Sequence, residues 1–147
     1  FGSQVILLYL VLNLRNKISP KTLIIGNGDI ESYAEIDEKY KLYGNQGFMV
    51  GRGVFSNPWI FNKSFKLETV TAKDRLNLYL RHIDLFKKTW DTEKDFGSLK
   101  KFSKTYINNF PDCAILRDKV NLSKNLKEMT NLIESYKNNK VKLSSHS

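Results

Sequence analysis

Two glycine-bearing turns contain the residues whose types and spacing could do chemistry. The first turn is Asn27-Gly28-Asp29 and the second is Gly51-Arg52-Gly53, and each follows a short apolar run. Glycine lets backbone N–H groups approach an anion closely, and an arginine between two glycines adds a fixed cation. A single turn of this kind is common between a strand and a helix. The two together favour a phosphate-binding site to which both turns contribute.

The segments around these turns predict a strand, a helix and a second strand. Residues 22–25 form an apolar, β-branched run closed by Gly26, which predicts a buried strand, and residues 48–50 predict another. Between them, Ser32 and Glu35 have the spacing of a capping box at the start of a helix. A strand–helix–strand unit has parallel strands, so both turns are expected at one edge of the sheet. In a (β/α)8 barrel, loops after the last two strands and a short extra helix commonly bind phosphate, and residues 55–59 are predicted to begin that helix.

The beginning of the chain is strongly apolar. Residues 5–18 predict a buried helix, or a strand that continues into one, ending near Ser19 and Pro20. The apolar run is much shorter than the roughly 20 residues that a membrane-spanning helix needs. We therefore expect a core segment and no membrane role.

From Thr71 onward the apolar residues recur at helical spacing, which predicts a small bundle of three to four amphipathic helices. Thr71 and Asp74 resemble a capping box, Pro111 is predicted to be the first residue of the third helix, and Ser123 to cap the fourth. Residues 138–147 lack this spacing and are expected to form a frayed tail. The predicted apolar stripes are Leu76, Leu80, Ile83, Phe86 and Trp90, then Phe96, Leu99, Phe102, Tyr106 and Phe110, and then Leu126, Met129, Ile133 and Tyr136.

Positive charge is concentrated in the helical half. Residues 72–147 contain 16 basic and 9 acidic residues, so they account for +7 of the chain's net charge of +9. This excess of positive charge favours a polyanionic partner such as nucleic acid. A solvated helix exterior is the alternative meaning of such charges, and it stays open. The candidate contacts are Lys73, Arg81 and Lys88 on the first helix and Lys100, Lys101 and Lys104 on the next.

Two residue types that often carry chemistry give little sign of it here. Cys113 is the single cysteine, so neither an internal disulfide nor a cysteine-based zinc site is expected, in keeping with a reducing cytoplasm. It has no neighbouring base and is interpreted as a small core residue. His82 is interpreted as a surface or partly buried histidine, and no metal site is expected.

Three runs, taken together, resemble the tRNA-dihydrouridine synthase family in order and spacing. The runs are IIGNGDI at 24–30, GFMVGRG at 47–53 and NPWIF at 57–61. The resemblance implies an α/β part followed by an all-α part. Residues 1–70 would be the last βα units of a (β/α)8 TIM barrel that binds FMN. Residues 71–137 would be a C-terminal helical bundle that binds tRNA, followed by a flexible tail over 138–147. The positions that match the family's FMN contacts are Asn27, Gly28, Asp29, Gly51 and Arg52.

The resemblance also implies an activity, which is the reduction of uridine in tRNA to 5,6-dihydrouridine by an FMN-dependent oxidoreductase with NADPH as the reductant. The family's catalytic cysteine lies early in the barrel, so no catalytic residue is assigned in this chain. We expect the chain alone to be inactive and poorly folded in its first 60 residues, and the enzyme to be cytoplasmic and not oligomeric.

Some residues depart from the family pattern, and two other functions stay open. Val54 and Ser56 replace smaller residues, Asn45-Gln46 replaces an acidic turn, and residues 1–14 do not resemble the family's preceding segment. The first alternative function is a non-catalytic, basic RNA-binding module in which the glycine turns are purely structural. The second is an FMN barrel that acts on another substrate.

Overall fold

Two units of different architecture follow one another along the chain in a computed structural model, one ending at Phe65 and the other beginning at Lys66. The structure describes the backbone of residues 2–144 and the side chains of residues 7–139. We call the segments unit 1 and unit 2. Unit 2 begins ahead of the predicted boundary at residue 71 and includes a 3-10 turn at Leu67–Thr69.

The first helix, α1 (Gly2–Ile18), confirms the predicted helix but not its predicted burial. Leu12 is 6% exposed, whereas Leu10 and Leu14 are each 58% exposed. The apolar residues occupy successive positions and therefore surround the helix instead of forming one stripe, so a neighbouring element can cover one side at most.

Next comes the predicted strand–helix–strand unit, with β1 (Ile25–Asn27), α2 (Tyr33–Tyr43) and β2 (Gly47–Met49). The strands are parallel, with Ile25 paired to Gly47 and Asn27 to Met49. Helix α2 starts as predicted, because the Ser32 hydroxyl accepts a hydrogen bond from the Glu35 N–H group at 3.2 Å.

The position and burial predicted for the first strand are wrong. Ladder pairing begins at Ile25 and not at Thr22, and both Leu23 and Ile25 are exposed. The reason is that the partner strand itself begins at Gly47. Upstream of it, the Ile24 backbone is held by Gln46, whose side-chain oxygen accepts from the Ile24 N–H group at 2.9 Å and whose N–H group donates to the Ile24 carbonyl at 3.1 Å.

The short extra helix, α3, spans Gly53–Ser56 and so starts before the predicted segment 55–59. Arg52 already has helical backbone angles, with φ −60° and ψ −25°. The turn closes when the Asn57 N–H group donates to the Gly53 carbonyl at 2.9 Å, and Pro58, which has no N–H group, follows.

Unit 2 consists of helices packed around one apolar core. They are α4 (Ala72–Trp90), α5 (Gly97–Lys100), α6 (Ser103–Tyr106), α7 (Cys113–Leu122) and α8 (Leu126–Ser144). Helix α4 packs against α6 and α8, and α7 packs against the same two helices. The Thr71–Asp74 capping box is confirmed in both directions. The core residues include Leu76, Tyr79, Ile83, Phe86, Leu99, Ile107, Leu116, Val120, Met129 and Ile133.

The predicted second helix of this unit is instead two single turns, α5 and α6. The Phe102 N–H group donates to the Leu99 carbonyl at 3.1 Å, which is a tighter, three-residue turn. Phe102 itself has φ −92° and ψ 0°, outside the helical region, and this interrupts the helix.

The predicted starts of the last two helices are also displaced. Helix α7 begins at Cys113 and not at Pro111, because Asp112 has a left-handed backbone with φ 57°. Ser123 ends α7 and does not start α8, since its hydroxyl donates to the Val120 carbonyl at 2.7 Å. Asn125 takes the capping role, with its side-chain oxygen accepting from the Glu128 N–H group at 2.8 Å.

Helix α8 continues through Ser144, so the predicted loss of helical structure at residue 138 is wrong as far as 144. Residues 145–147 of the expected tail lie outside the described residues. No helix in the described part of the chain is long and apolar enough to cross a membrane.

Candidate functional site

The two glycine-bearing turns lie at one edge of the sheet, as the sequence predicts. Because Asn27 is paired with Met49 in a parallel ladder, the chain leaves both strands on the same side. The turns then meet through an ion pair in which Arg52 Nη2 lies 2.6 Å from Asp29 Oδ1. Both side chains face solvent, with the arginine 85% and the aspartate 77% exposed. A guanidinium and two stretches of loop backbone are therefore brought together.

Two other glycines hold this arrangement by close packing. A Cβ atom on Gly53 would lie 1.9 Å from the Ile30 carbonyl oxygen, so the second turn can pack on the backbone after the first turn only if residue 53 is glycine. A Cβ atom on Gly26 would lie 2.6 Å from the Phe48 ring. Both contacts are far shorter than van der Waals distance; the one at Gly53 is with backbone, so glycine is required there, whereas at Gly26 the Phe48 ring would have to move.

Gly28 and Gly51 are different, because the described part of the chain does not require glycine at either position. A Cβ atom on either would meet no heavy atom within 4 Å. Neither has a φ in the left-handed region, which among the described glycines is found at Gly44. The space beside these backbones is therefore open to a ligand that approaches the N–H groups closely.

The sequence did not reveal how β2 is positioned. Asn45 is fully buried and its amide donates to the Gly47 carbonyl. Its neighbour Gln46 fixes the Ile24 backbone. The signal was present as a departure from the family pattern at these two residues, but the side-chain pairing across 22 residues was not readable from local spacing.

The exposed ion pair between Arg52 and Asp29 leaves the guanidinium able to contact a ligand as well. An exposed pair of this kind contributes about 0–1 kcal/mol to stability. An arginine has five N–H donors, so a guanidinium that donates to Asp29 retains donors for an anion.

Among the residues that the structure describes, no group of three or more histidine, cysteine or acidic side chains could hold a metal ion.

The six basic candidates of unit 2 fall into different environments. Lys73, Arg81 and Lys88 are exposed on α4, and Lys88 is paired with Asp84 at 2.7 Å. Lys101 and Lys104 are exposed near α5 and α6.

Lys100, the sixth of these candidates, is tied into the fold. It is partly buried, and its Nζ atom donates to the Ser123 carbonyl at 2.6 Å. The same ammonium lies 4.9 Å from the centre of the Phe96 ring. Lys100 is thus held by the end of α7, unlike the exposed lysines that follow it.

Cys113 and His82 both lie at the margin of the core. Cys113 is partly buried against it, and Arg117 donates to its Sγ atom at 3.5 Å. The Nδ1 atom of His82 lies 3.1 Å from the Tyr106 hydroxyl, and burial lowers the pKa of the histidine, which favours the neutral ring. These contacts place both residues in the packing of unit 2.

Comparison with known proteins covers most of the chain. A family model described as dihydrouridine synthase matches residues 8–142. The chain is 34% identical over 127 residues to a "Probable tRNA-dihydrouridine synthase" of Staphylococcus aureus, a match that covers 86% of this chain and 38% of the relative. Over the same shares of each chain, identity is 32% to the protein of that name from Staphylococcus epidermidis and 31% to "Probable tRNA-dihydrouridine synthase 2" of Bacillus subtilis.

The chain thus spans about two-fifths of the length of these relatives. The resemblance noted in the glycine turns is confirmed, and it extends through the helices of unit 2. The chain belongs to the dihydrouridine synthase family.

Proposed function

We propose that this chain is part of a flavin-dependent tRNA-dihydrouridine synthase, which reduces uridine in tRNA to 5,6-dihydrouridine with FMN and NADPH in the cytoplasm. In this proposal unit 1 is the end of the (β/α)8 barrel and unit 2 is the C-terminal helical bundle that contacts the tRNA. Family membership and the names of the relatives support the reaction and the substrate. The exposed apolar side chains of α1 and β1 suit elements that pack against further strands and helices of a barrel.

The observation that carries the FMN proposal is the open space beside Gly28 and Gly51 at the edge where Arg52 also lies. Amide N–H groups of the two turns would donate to phosphate oxygens, and the Arg52 guanidinium would add a charge-assisted, planar contact. Asn27 stands at the end of β1, where its side chain is exposed beside the same turn. These donors fit an organic phosphate.

Asp29 has a different role in this site. A carboxylate beside a phosphate is repulsive, so Asp29 would not contact the ligand directly. It would hold the Arg52 guanidinium in place through the 2.6 Å contact. FMN, when bound, supplies the hydride chemistry of the reaction. The residues of this chain would bind and orient its phosphate, and no catalytic proton donor is assigned among them because Cys113 belongs to the core margin.

Flavin content tests this proposal. In the whole protein, Arg52→Glu should lower the FMN bound after purification by about tenfold or more, because a charge-assisted contact worth about 1.5–3 kcal/mol is replaced by repulsion. The matched control is Lys21→Glu, an equal change of charge at another exposed position of unit 1. It should leave the flavin absorbance per protein unchanged.

Two results would contradict this proposal, the first in the role of Arg52 and the second in the enzyme assignment. Equal flavin content in both variants would remove Arg52 from the site. Wild-type protein that is colourless after reconstitution with FMN, but binds tRNA in a salt-sensitive way, would favour the basic RNA-binding module instead.

A further inference from the structure

One basic side chain outside the sequence candidates lies on the exposed face of α4. Lys137 belongs to α8, which packs against α4, and its Nζ atom donates to the side-chain oxygen of Asn77 at 3.2 Å. Asn77 is on α4 between Lys73 and Arg81. A lysine of one helix is thus held on the surface of another.

The residues of that α4 face are arranged in a line. Their intervals are four, four, three and four residues, which keeps them on one side of a helix, and all five are exposed. At a rise of about 1.5 Å per residue, Lys73 and Arg81 are about 12 Å apart along the axis, and Asn77 is midway between them. The residues are Lys73, Asn77, Arg81, Asp84 and Lys88.

We infer that Lys137 is an RNA-phosphate contact that completes this row of cations, with Asn77 as its positioning residue. The inference rests on the proposed function, since it assigns a partner already proposed for unit 2 to particular atoms. With Lys137 on Asn77, the row has a cation about every 6 Å from Lys73 to Arg81. A row of this kind fits a backbone of regularly spaced phosphates better than a single small anion.

The hydrogen-bond or ion-pair partner of each lysine determines how much of its positive charge remains for a phosphate. The acceptor of Lys137 is a neutral amide, which fixes the ammonium without offsetting its charge, and an ammonium has two further N–H donors for a phosphate. Lys88, in contrast, is paired with the carboxylate of Asp84. Lys100 is partly buried on the Ser123 carbonyl. Lys137 is partly buried as well, but its hydrogen bond to Asn77 lies at the surface, whereas that of Lys100 is partly buried and Lys88 faces a carboxylate.

An acidic residue at the start of α4, Asp74, keeps its negative charge beside Lys73, because its hydrogen-bond partners are neutral groups of Thr71. The carboxylate of Asp74 accepts from the Thr71 hydroxyl at 2.6 Å and from the Thr71 N–H group at 3.0 Å. It serves the helix cap. Lys137 contacts Asn77 about one turn further along α4, and its side chain is partly buried.

The test is the salt dependence of tRNA binding by the whole protein, measured between about 50 and 200 mM salt. The logarithm of the affinity falls as the logarithm of the salt concentration rises, and loss of one phosphate contact should make this slope less steep by about 0.7–0.9. A lowered slope means a less steep one. We expect this change for Lys137→Gln, a smaller change in the same direction for Asn77→Ala, and a normal slope for Lys137→Arg. Lys119→Gln is the matched control, because Lys119 is an exposed lysine on α7.

The variant Arg81→Gln distinguishes failure of the Lys137 inference from failure of the proposed tRNA contact of α4. If Arg81→Gln lowers the slope but Lys137→Gln behaves like Lys119→Gln, the role of Lys137 is overturned and RNA binding by unit 2 stands. If neither Arg81→Gln nor Lys137→Gln changes the slope, the inference and the proposed tRNA contact of this helix face both fail. Unchanged melting temperatures for the variants would exclude unfolding as the cause of a lowered slope.

Discussion

Unit 1 and unit 2 use their apolar residues in opposite ways. In unit 2, side chains from α4, α7 and α8 enclose a core that includes Tyr79, Met129 and Ile133, each fully buried. In unit 1, α2 has no buried side chain, and the apolar residues of α1 and β1 are largely exposed. The order of unit 1 lies instead in its turns, where glycine packing and the buried Asn45 hold two strands in register. The edge where the two turns meet is therefore well defined in a unit that has little core.

The largest expected effect comes from removing a core side chain of each unit in the 147-residue chain. Leu76→Ala should lower the free energy of unfolding of unit 2 by about 2–5 kcal/mol, because Leu76 is 1% exposed and its loss leaves a cavity. Leu10→Ala should change stability by less than about 0.5 kcal/mol, since the side chain is already mostly in solvent. Denaturant titration followed by circular dichroism measures both. Equal losses would show that the units share one core.

A second contrast lies within the glycine turns. Gly53→Ala should destabilise unit 1 by about 1–3 kcal/mol, because the added methyl group would overlap the Ile30 carbonyl. Gly51→Ala should leave the fold intact but lower FMN affinity in the whole protein, since its Cβ would occupy space that the chain itself leaves open. Thermal melting and flavin titration of the two variants separate a structural glycine from a binding glycine. Normal FMN binding by Gly51→Ala would contradict the binding role.

The smallest expected effect is a pH dependence confined to unit 2, because both histidines of the chain lie after residue 65. Burial lowers the pKa of His82 in the folded chain from its ordinary value of 6.5. The unfolded chain therefore binds the proton more readily, and this part of the stability is lost as the pH falls below about 6.5. His82→Gln should flatten the decline in melting temperature between about pH 7 and 5. An NMR titration that gave His82 a pKa at or above 6.5 would contradict the prediction.

The features that the sequence predicted correctly are local ones. The caps at Ser32 and Thr71 depend on residues three apart, and the glycine turns follow directly from the strands that they end. The features it missed include a long-range pairing, that of Gln46 with Ile24, and local breaks that apolar spacing does not reveal. Ser123 resembles a cap but ends a helix, and the break at Phe102 interrupts a continuous apolar stripe.

The candidate site likewise has features that the sequence predicted and features that it missed. Glycine spacing predicted which turns meet, but the difference between Gly53 and Gly51 depends on the backbone of Ile30, which local spacing does not reveal. The basic residues were chosen by their charge and by their positions along the predicted helices. Whether a lysine is available depends on its surroundings, because the hydrogen bond of Lys100 is partly buried at the end of α7 and that of Lys137 lies at the surface.

Titration of the whole protein, labelled with nitrogen-15, with FMN tests most directly whether the two turns bind one phosphate. The amide resonances of Gly28 and Gly51 should shift together, with one dissociation constant, while the amide of Gly44 at the end of α2 stays unchanged. FMN binding that shifts one turn and not the other, or neither, would contradict the account.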